Sequence, residues 1–152
     1  MLVYRICKEA YANDLSGQGS KVYGGRWNSK GTSVLYTASS ISLAMLETLV
    51  HLPRYLFLKD MVLVTIELPK TYPKTEILVK DCPKFWDELP PHKNTQKIGD
   101  AWTTKNDELV LLVPSTIVAQ ETNYILNPSY SKFSGVKVKK IESISFDKRL
   151  GD

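Results

Sequence analysis

The chain has 152 residues, of which 43% are hydrophobic and 24% charged, which suits one domain with a sizeable core and excludes a disordered chain. Its net charge of +4 is thinly spread apart from Lys137, Lys139 and Lys140, so a dedicated nucleic-acid surface is disfavoured and a small anion or an acidic partner fits better. Cys7 and Cys82 read as free thiols, no apolar run is long enough to cross a bilayer, and the N-terminus looks like a strand rather than a signal; the expectation is a cytoplasmic protein without a membrane segment.

Leu2 to Ile6 reads as a first strand that carries Arg5 among apolar neighbours. Two readings stand: an edge strand with Arg5 turned to water, or an arginine that joins a second one in an anion clamp. Lys8 to Lys21, rich in Ser, Gly, Asn and Asp, is expected to be a mobile loop that covers a site. The stretch Tyr23-Gly-Gly-Arg-Trp-Asn-Ser-Lys-Gly31 follows, where glycines let main chain approach a ligand closely and Arg26 offers a planar fork for phosphate or carboxylate.

Val34 to Thr37 is a strand, and Ser39 or Ser40 caps a helix from Ile41 to His51 that ends at the Leu52-Pro53 break. Ile41, Ala44, Met45, Leu49 and Leu52 form one apolar stripe and Leu43, Leu46 and Val50 another, so the helix is expected to be largely buried. Glu47 is its one acid. An unpaired buried carboxylate is costly, so Glu47 must pair, accept hydrogen bonds, take up a proton or face a cavity. The competing reading is an exposed Glu47 to His51 pair one turn apart.

Met61 to Leu68 alternates Val62, Val64 and Ile66 and suits a buried strand closed by Pro69. Thr75 to Val79 is a short strand, and Asp81 is placed to cap a brief helix from Pro83 to Leu89, stopped by Pro90-Pro91. Asn94 to Lys105 is a helix with Ile98, Ala101 and Trp102 as its core face. Glu108 to Ser115 is a buried strand that stops at Pro114, which puts Ser115 at a strand end, a common place for site residues and equally for a turn. Thr116 to Val118 continues extended, Asn123 to Pro128 alternates into a turn, and Val136 to Phe146 is a last strand or hairpin with a bulge near Lys139-Lys140.

There is no Walker loop, no dinucleotide-binding glycine fingerprint and no metal-ligand cluster around His51 or His92. No motif selects either histidine as a base for Ser115.

Gly25-Arg26-Trp27-Asn28, Leu35-Tyr36-Thr37, Leu43-Ala44 with Glu47 and His51, Thr95-Gln96 with Gly99-Asp100 and Trp102, Val113-Pro114-Ser115, and Asn123 with Leu126-Asn127-Pro128 together resemble the RES-domain toxins. The resemblance covers nearly the whole chain. It implies an α+β fold: a single compact domain with mixed, mainly antiparallel sheets and a few helices, similar to the ADP-ribosyltransferases. It places the arginine, glutamate and serine of the family name at Arg26, Glu47 and Ser115, with Tyr36 as a further catalytic candidate. Arg5, Tyr4, Trp27, Asn28, Asn123 and Asn127 are the corresponding substrate-binding candidates. The implied activity is breakdown of NAD, by phosphorolysis to nicotinamide and ADP-ribose-1″-phosphate, with inorganic phosphate as co-substrate and no metal or other cofactor. The alternatives are a mono-ADP-ribosyltransferase acting on a protein and a non-catalytic nucleotide-binding module. The implied partner is an Xre-type helix-turn-helix antitoxin, through which alone DNA would be contacted; the oligomeric state stays open. Where the family commonly has a histidine and proline after Asn127-Pro128, this chain has Ser129-Tyr130-Ser131.

Overall fold

The computed structural model describes residues 1–51, 60–147 and 149. Among them one sheet is built from β1 (Leu2–Lys8), β2 (Leu35–Ala38), β3 (Met61–Glu67), β4 (Lys74–Glu76), β5 (Val110–Pro114), β6 (Thr122–Leu126) and β7 (Lys137–Ser143), in the order β4-β5-β6-β2-β1-β3-β7. Every pairing is antiparallel except that of β4 with β5, so the α+β expectation holds with a single mixed sheet in place of several. Three α-helices accompany it among the described residues: α1 (Gln18–Tyr23), α2 (Ile41–His51) and α3 (Lys93–Lys105). No helix among the described residues is long and apolar enough to cross a membrane.

Alternation along the strands divides the core between the two faces of the sheet. Val110 and Leu112 of β5 join Val3, Val64, Ile66 and Leu126 in one cluster, whereas Leu111 and Val113 join Trp27, Val34 and Ile125 in another, against which Ile98 and Trp102 of α3 pack. A third, smaller cluster places Leu43 and Ala44 of α2 on Ala38, with Tyr4 and Ile6 beside it. The helix that carries Glu47 is thereby seated over β1 and β2.

Several elements depart from expectation. β1 is flanked by β2 and β3, so Arg5 does not sit on an edge strand. The segment from Lys8 to Lys21 is not one loop: it forms a 3-10 turn at Glu9–Tyr11 and then enters α1. Gly17 precedes that helix at φ +71, and a Cβ there would stand 2.6 Å from the Val34 carbonyl oxygen, so the turn needs glycine. Ser40, not Ser39, caps α2 through Leu43 N at 3.1 Å. That helix touches the sheet along one stripe only, which leaves Ile41, Leu46 and Val50 exposed instead of buried. The expected boundary at Leu52-Pro53 lies outside the described residues.

The strand expected from Thr75 to Val79 is the shorter β4, followed by a 3-10 turn at Val79–Asp81. Pro83 to Leu89 forms successive turns rather than a helix, because Phe85 adopts a left-handed φ of 65° that an α-helix cannot accommodate. In α3 the buried positions are Thr95 and Gly99, while Ala101 is exposed. Thr116 to Val118 bends instead of continuing β5. The bulge near Lys139 is present: pairing passes from Thr65 with Lys140 to Ile66 with Val138, which leaves Lys139 as the extra residue.

Candidate active site

Glu47 lies half-buried on α2, and one of its oxygens is fixed by two donors from the other half of the sheet. Oε1 accepts from Ser115 Oγ at 2.9 Å and from Asn123 Nδ2 at 2.6 Å. Ser115 is wholly buried at the end of β5, and its oxygen already accepts from Ile117 N at 3.0 Å and Val118 N at 3.1 Å. With both lone pairs engaged, the hydroxyl is left to donate, so Ser115 is held as a donor to the carboxylate. This hydroxyl-centred turn is the reason the chain bends after Pro114. Oε2 of Glu47 takes no hydrogen bond from any described residue.

Arg26 is presented by a tight glycine turn. Gly24 has φ +71, and a Cβ on Gly25 would lie 2.6 Å from the Tyr36 hydroxyl, so side chains are barred where the arginine loop crosses β2. Arg26 Nη1 donates to the main-chain oxygens of Trp86 at 2.6 Å and Glu88 at 2.9 Å. Partial burial lowers its pKa, opposed by the negative charges of Glu47 and Asp87, and the group remains a cation.

The Tyr36 hydroxyl is fully used: it donates to Asn28 Oδ1 at 2.7 Å and accepts from Trp27 N at 3.0 Å. Burial pushes its pKa well up. Asn28 is also wholly buried, and its Nδ2 donates to Ser20 O at 2.8 Å and Thr32 O at 2.9 Å. Both residues therefore shape the arginine loop, and the Asn28 side chain makes its hydrogen bonds within it and to Tyr36.

A cavity of about 520 Å³ opens between these elements, within the range of small-molecule sites. Of the residues singled out in the sequence, Tyr4, Arg5, Arg26 and Trp27 line it, as do Tyr36, Glu47 and Asn123. Arg5 reaches it from β1 while Nη1 donates to Asp14 O at 2.7 Å. Ser115 stands behind Glu47. Asn127 is elsewhere: at the opposite end of β6 from Asn123, it is wholly buried, donates to Asn106 Oδ1 at 2.8 Å and accepts from Ser129 N at 3.0 Å, closing a turn.

Beyond the core packing expected of it, α3 holds the arginine loop. Gln96 Nε2 donates to Gly25 O at 3.0 Å, and Asp100 accepts from Ser29 N at 3.0 Å and from the Ser29 hydroxyl. Between them a Cβ on Gly99 would fall 1.6 Å from Trp27 O, so helix and loop meet backbone to backbone. The spacing of Gln96, Gly99 and Asp100 puts all three on one helical face and was the available signal.

The RES domain family model matches residues 2–147. Toxin Res of Yersinia enterocolitica serotype O:8 / biotype 1B is 40% identical over 156 aligned positions that cover 99% of each chain. The Prs ADP-ribosylating toxin of Sphingobium sp. (strain YBL2) is 38% identical over 97% of this chain and 94% of its own. In fold, the chain matches one from the crystal structure of the M. tuberculosis MbcT–MbcA toxin-antitoxin complex, with a TM-score of 0.77 and 18% identity over 95% of this chain and 84% of that one. The family model and these relatives match along almost the full length of the sequence, and the chain belongs to the RES-domain toxin family.

Proposed function

We propose that the protein breaks the nicotinamide–ribose bond of NAD and passes the ADP-ribosyl group to inorganic phosphate, giving nicotinamide and ADP-ribose-1″-phosphate. The observation that carries this reading is the Glu47 carboxylate, clamped on one oxygen by Ser115 and Asn123, with its other oxygen unengaged beside a cavity that two arginines line. Loss of nicotinamide makes the ribose C1 oxocarbenium-like. A preorganised carboxylate beside it, bonded to ribose hydroxyls, stabilises that charge more than it stabilises the ground state. Arg5 and Arg26 are suited to the pyrophosphate and the incoming phosphate, and holding two reactants in line supplies up to about 7 to 11 kcal/mol. The reaction asks for no metal or further cofactor.

A second reading is favoured by the Sphingobium relative, whose name describes an ADP-ribosylating toxin: the same cleavage with a protein side chain as acceptor. In either case the MbcT–MbcA neighbour supports an antitoxin partner, and the resemblance suggests one of the Xre helix-turn-helix type. Incubating the purified protein with radiolabelled NAD, with and without phosphate, separates the acceptors. Phosphate-dependent release of free ADP-ribose-1″-phosphate is expected. Label fixed to protein would assign the transferase instead, and intact NAD would return the protein to a binding role.

A further inference from the structure

Gly19, Ser20, Tyr23, Gly24 and Gly25 form one wall of the cavity, and that wall is almost bare of side chains. The glycines have none, and the Ser20 hydroxyl is turned inward to Val34 N at 3.0 Å and Val34 O at 2.6 Å. Tyr23 is the exception. It closes α1, stays 79% exposed and makes no hydrogen bond to any described residue through its hydroxyl. A ring left so bare forgoes the gain from burial and offers a face to another ring. In a helix every Cα–Cβ bond tilts towards the N-terminus, which aims Tyr23 over the turn of Gly19, four residues earlier. A Cβ on Gly19 would meet nothing within 4 Å, so the space on that side of the ring is open.

We propose that Tyr23 and the gap at Gly19 seat the adenine of NAD, which stacks on the tyrosine ring. The choice of NAD rests on the cleavage reading above; which of its two rings lies here follows from the site. Nicotinamide leaves from the carbon that Glu47 serves, so it stays beside α2, where exclusion of water strengthens the effect of the half-buried carboxylate. A ring as wet as Tyr23 is no place for that step. Arg26 follows Tyr23 by three residues, across the Gly24-Gly25 turn, and is suited to the pyrophosphate that joins the two halves of NAD. The adenosine half then runs back along the turn to the exposed ring. Stacking uses the face of a base and asks for no particular edge, and it is made equally in the ground and transition states. Tyr23 therefore sets how tightly NAD is held and leaves turnover alone.

The test is isothermal calorimetry on the full chain with ADP-ribose, which carries the adenine, and with nicotinamide mononucleotide, which does not. Tyr23→Ala is expected to bind ADP-ribose about tenfold more weakly and Tyr23→Phe as the wild type does, with nicotinamide mononucleotide unaffected by either change. Gly19→Leu fills the open space at a helical position of ordinary φ, so it is expected to weaken ADP-ribose to a similar degree while thermal unfolding stays at or above that of the wild type. With NAD as substrate, Tyr23→Ala is expected to raise KM about tenfold and to keep kcat within about twofold. A Tyr23→Ala protein that binds ADP-ribose within about twofold of the wild type, or that loses nicotinamide mononucleotide instead, overturns the assignment, as does a wild type that binds no ADP-ribose. A folded Gly19→Leu protein with undiminished binding removes the gap from the seat. Wild-type protein that binds ADP-ribose through Tyr23 yet leaves NAD intact overturns the cleavage reading alone, so the two failures are told apart.

Discussion

Arg26 is held by the main chain of Trp86, sixty residues away, through a 2.6 Å hydrogen bond from Nη1, with a second from the same nitrogen to Glu88 O. One amine of the guanidinium is thus engaged inside the protein, and no described residue takes a hydrogen bond from Nη2 or Nε. Trp86 itself packs against the cluster that contains Trp27, so both ends of this tie rest on one piece of core.

It follows that Trp86→Ala should act through the arginine. We expect KM for NAD to rise about tenfold with a smaller change in kcat, and a stability loss of about 2 kcal/mol for a half-buried aromatic. In an Arg26→Lys background, itself not conservative at a site that needs two-pronged geometry, Trp86→Ala should raise KM little further. Fully additive effects in steady-state kinetics of the four proteins would break the link.

The carboxylate and its donors should separate in kinetics. Glu47→Gln keeps the shape and removes the charge, so turnover should fall by about 10² or more while NAD affinity changes little. Ser115→Ala removes a donor to Glu47 and also leaves Ile117 N and Val118 N without their partner, so it should cost both rate and about 1 to 3 kcal/mol of stability. Turnover measured beside isothermal binding and thermal unfolding checks each half. Near-normal turnover in Glu47→Gln would remove the residue from the mechanism.

Two glycines give opposite outcomes from the same change. A methyl on Gly99 would overlap the Trp27 carbonyl, so Gly99→Ala must push α3 off the arginine loop, with a loss of about 2 kcal/mol or more and of activity. Gly19 in α1 has nothing within 4 Å of its would-be Cβ, and Gly19→Ala should stabilise by about 0.5 to 1 kcal/mol through helix propensity. Urea unfolding of both variants checks the contrast.

Tyr36 gives an alkaline signature. Its pKa is raised by burial above the ordinary tyrosine value of 10.0, so the folded state holds its proton more tightly than the unfolded chain. The stability it contributes is complete below about pH 10 and is lost as pH rises towards the folded pKa, with a slope of up to about 1.4 kcal/mol per pH unit. Tyr36→Phe should be weaker at neutral pH by about 1 to 3 kcal/mol, because Trp27 N and Asn28 Oδ1 lose their partner, yet it should lose less than the wild type between pH 9 and 11. Tyr72 and Tyr124 shift in the same direction and are common to both proteins, so the difference isolates Tyr36. Equal pH slopes in urea unfolding would contradict it.

What could be read from the sequence was local. The start of α2, the wholly apolar β5 and the bulge at Lys139 all follow from periodicity, caps and prolines. α1 was hidden because its six residues have no apolar repeat; its anchor is Ser20, which bonds Val34 N at 3.0 Å and Val34 O at 2.6 Å. The turns at Pro83 to Leu89 hinge on one left-handed phenylalanine that composition does not announce. Within the site, Glu47 stands out as a lone acid in an apolar helix, but its donors are 68 and 76 residues away: Ser115 is marked in sequence only as a strand end, and Asn123 only by resemblance. The anchors of Arg26 are carbonyl oxygens, which every residue has, so no side-chain pattern could reveal them.

The order of the sheet has a consequence for the birth of the protein. β2 finds its second neighbour only in β6, with Leu35 paired to Leu126, and the clamp on Glu47 is completed by Asn123 from that same late strand. Pairings so distant along the chain close late and slowly. A ribosome therefore makes Arg26 and Glu47 long before anything can hold the carboxylate in place, and a nascent or cleaved fragment that stops short of Asn123 carries an unaimed acid. Whatever the molecule does with its cavity begins only once β6 has been made.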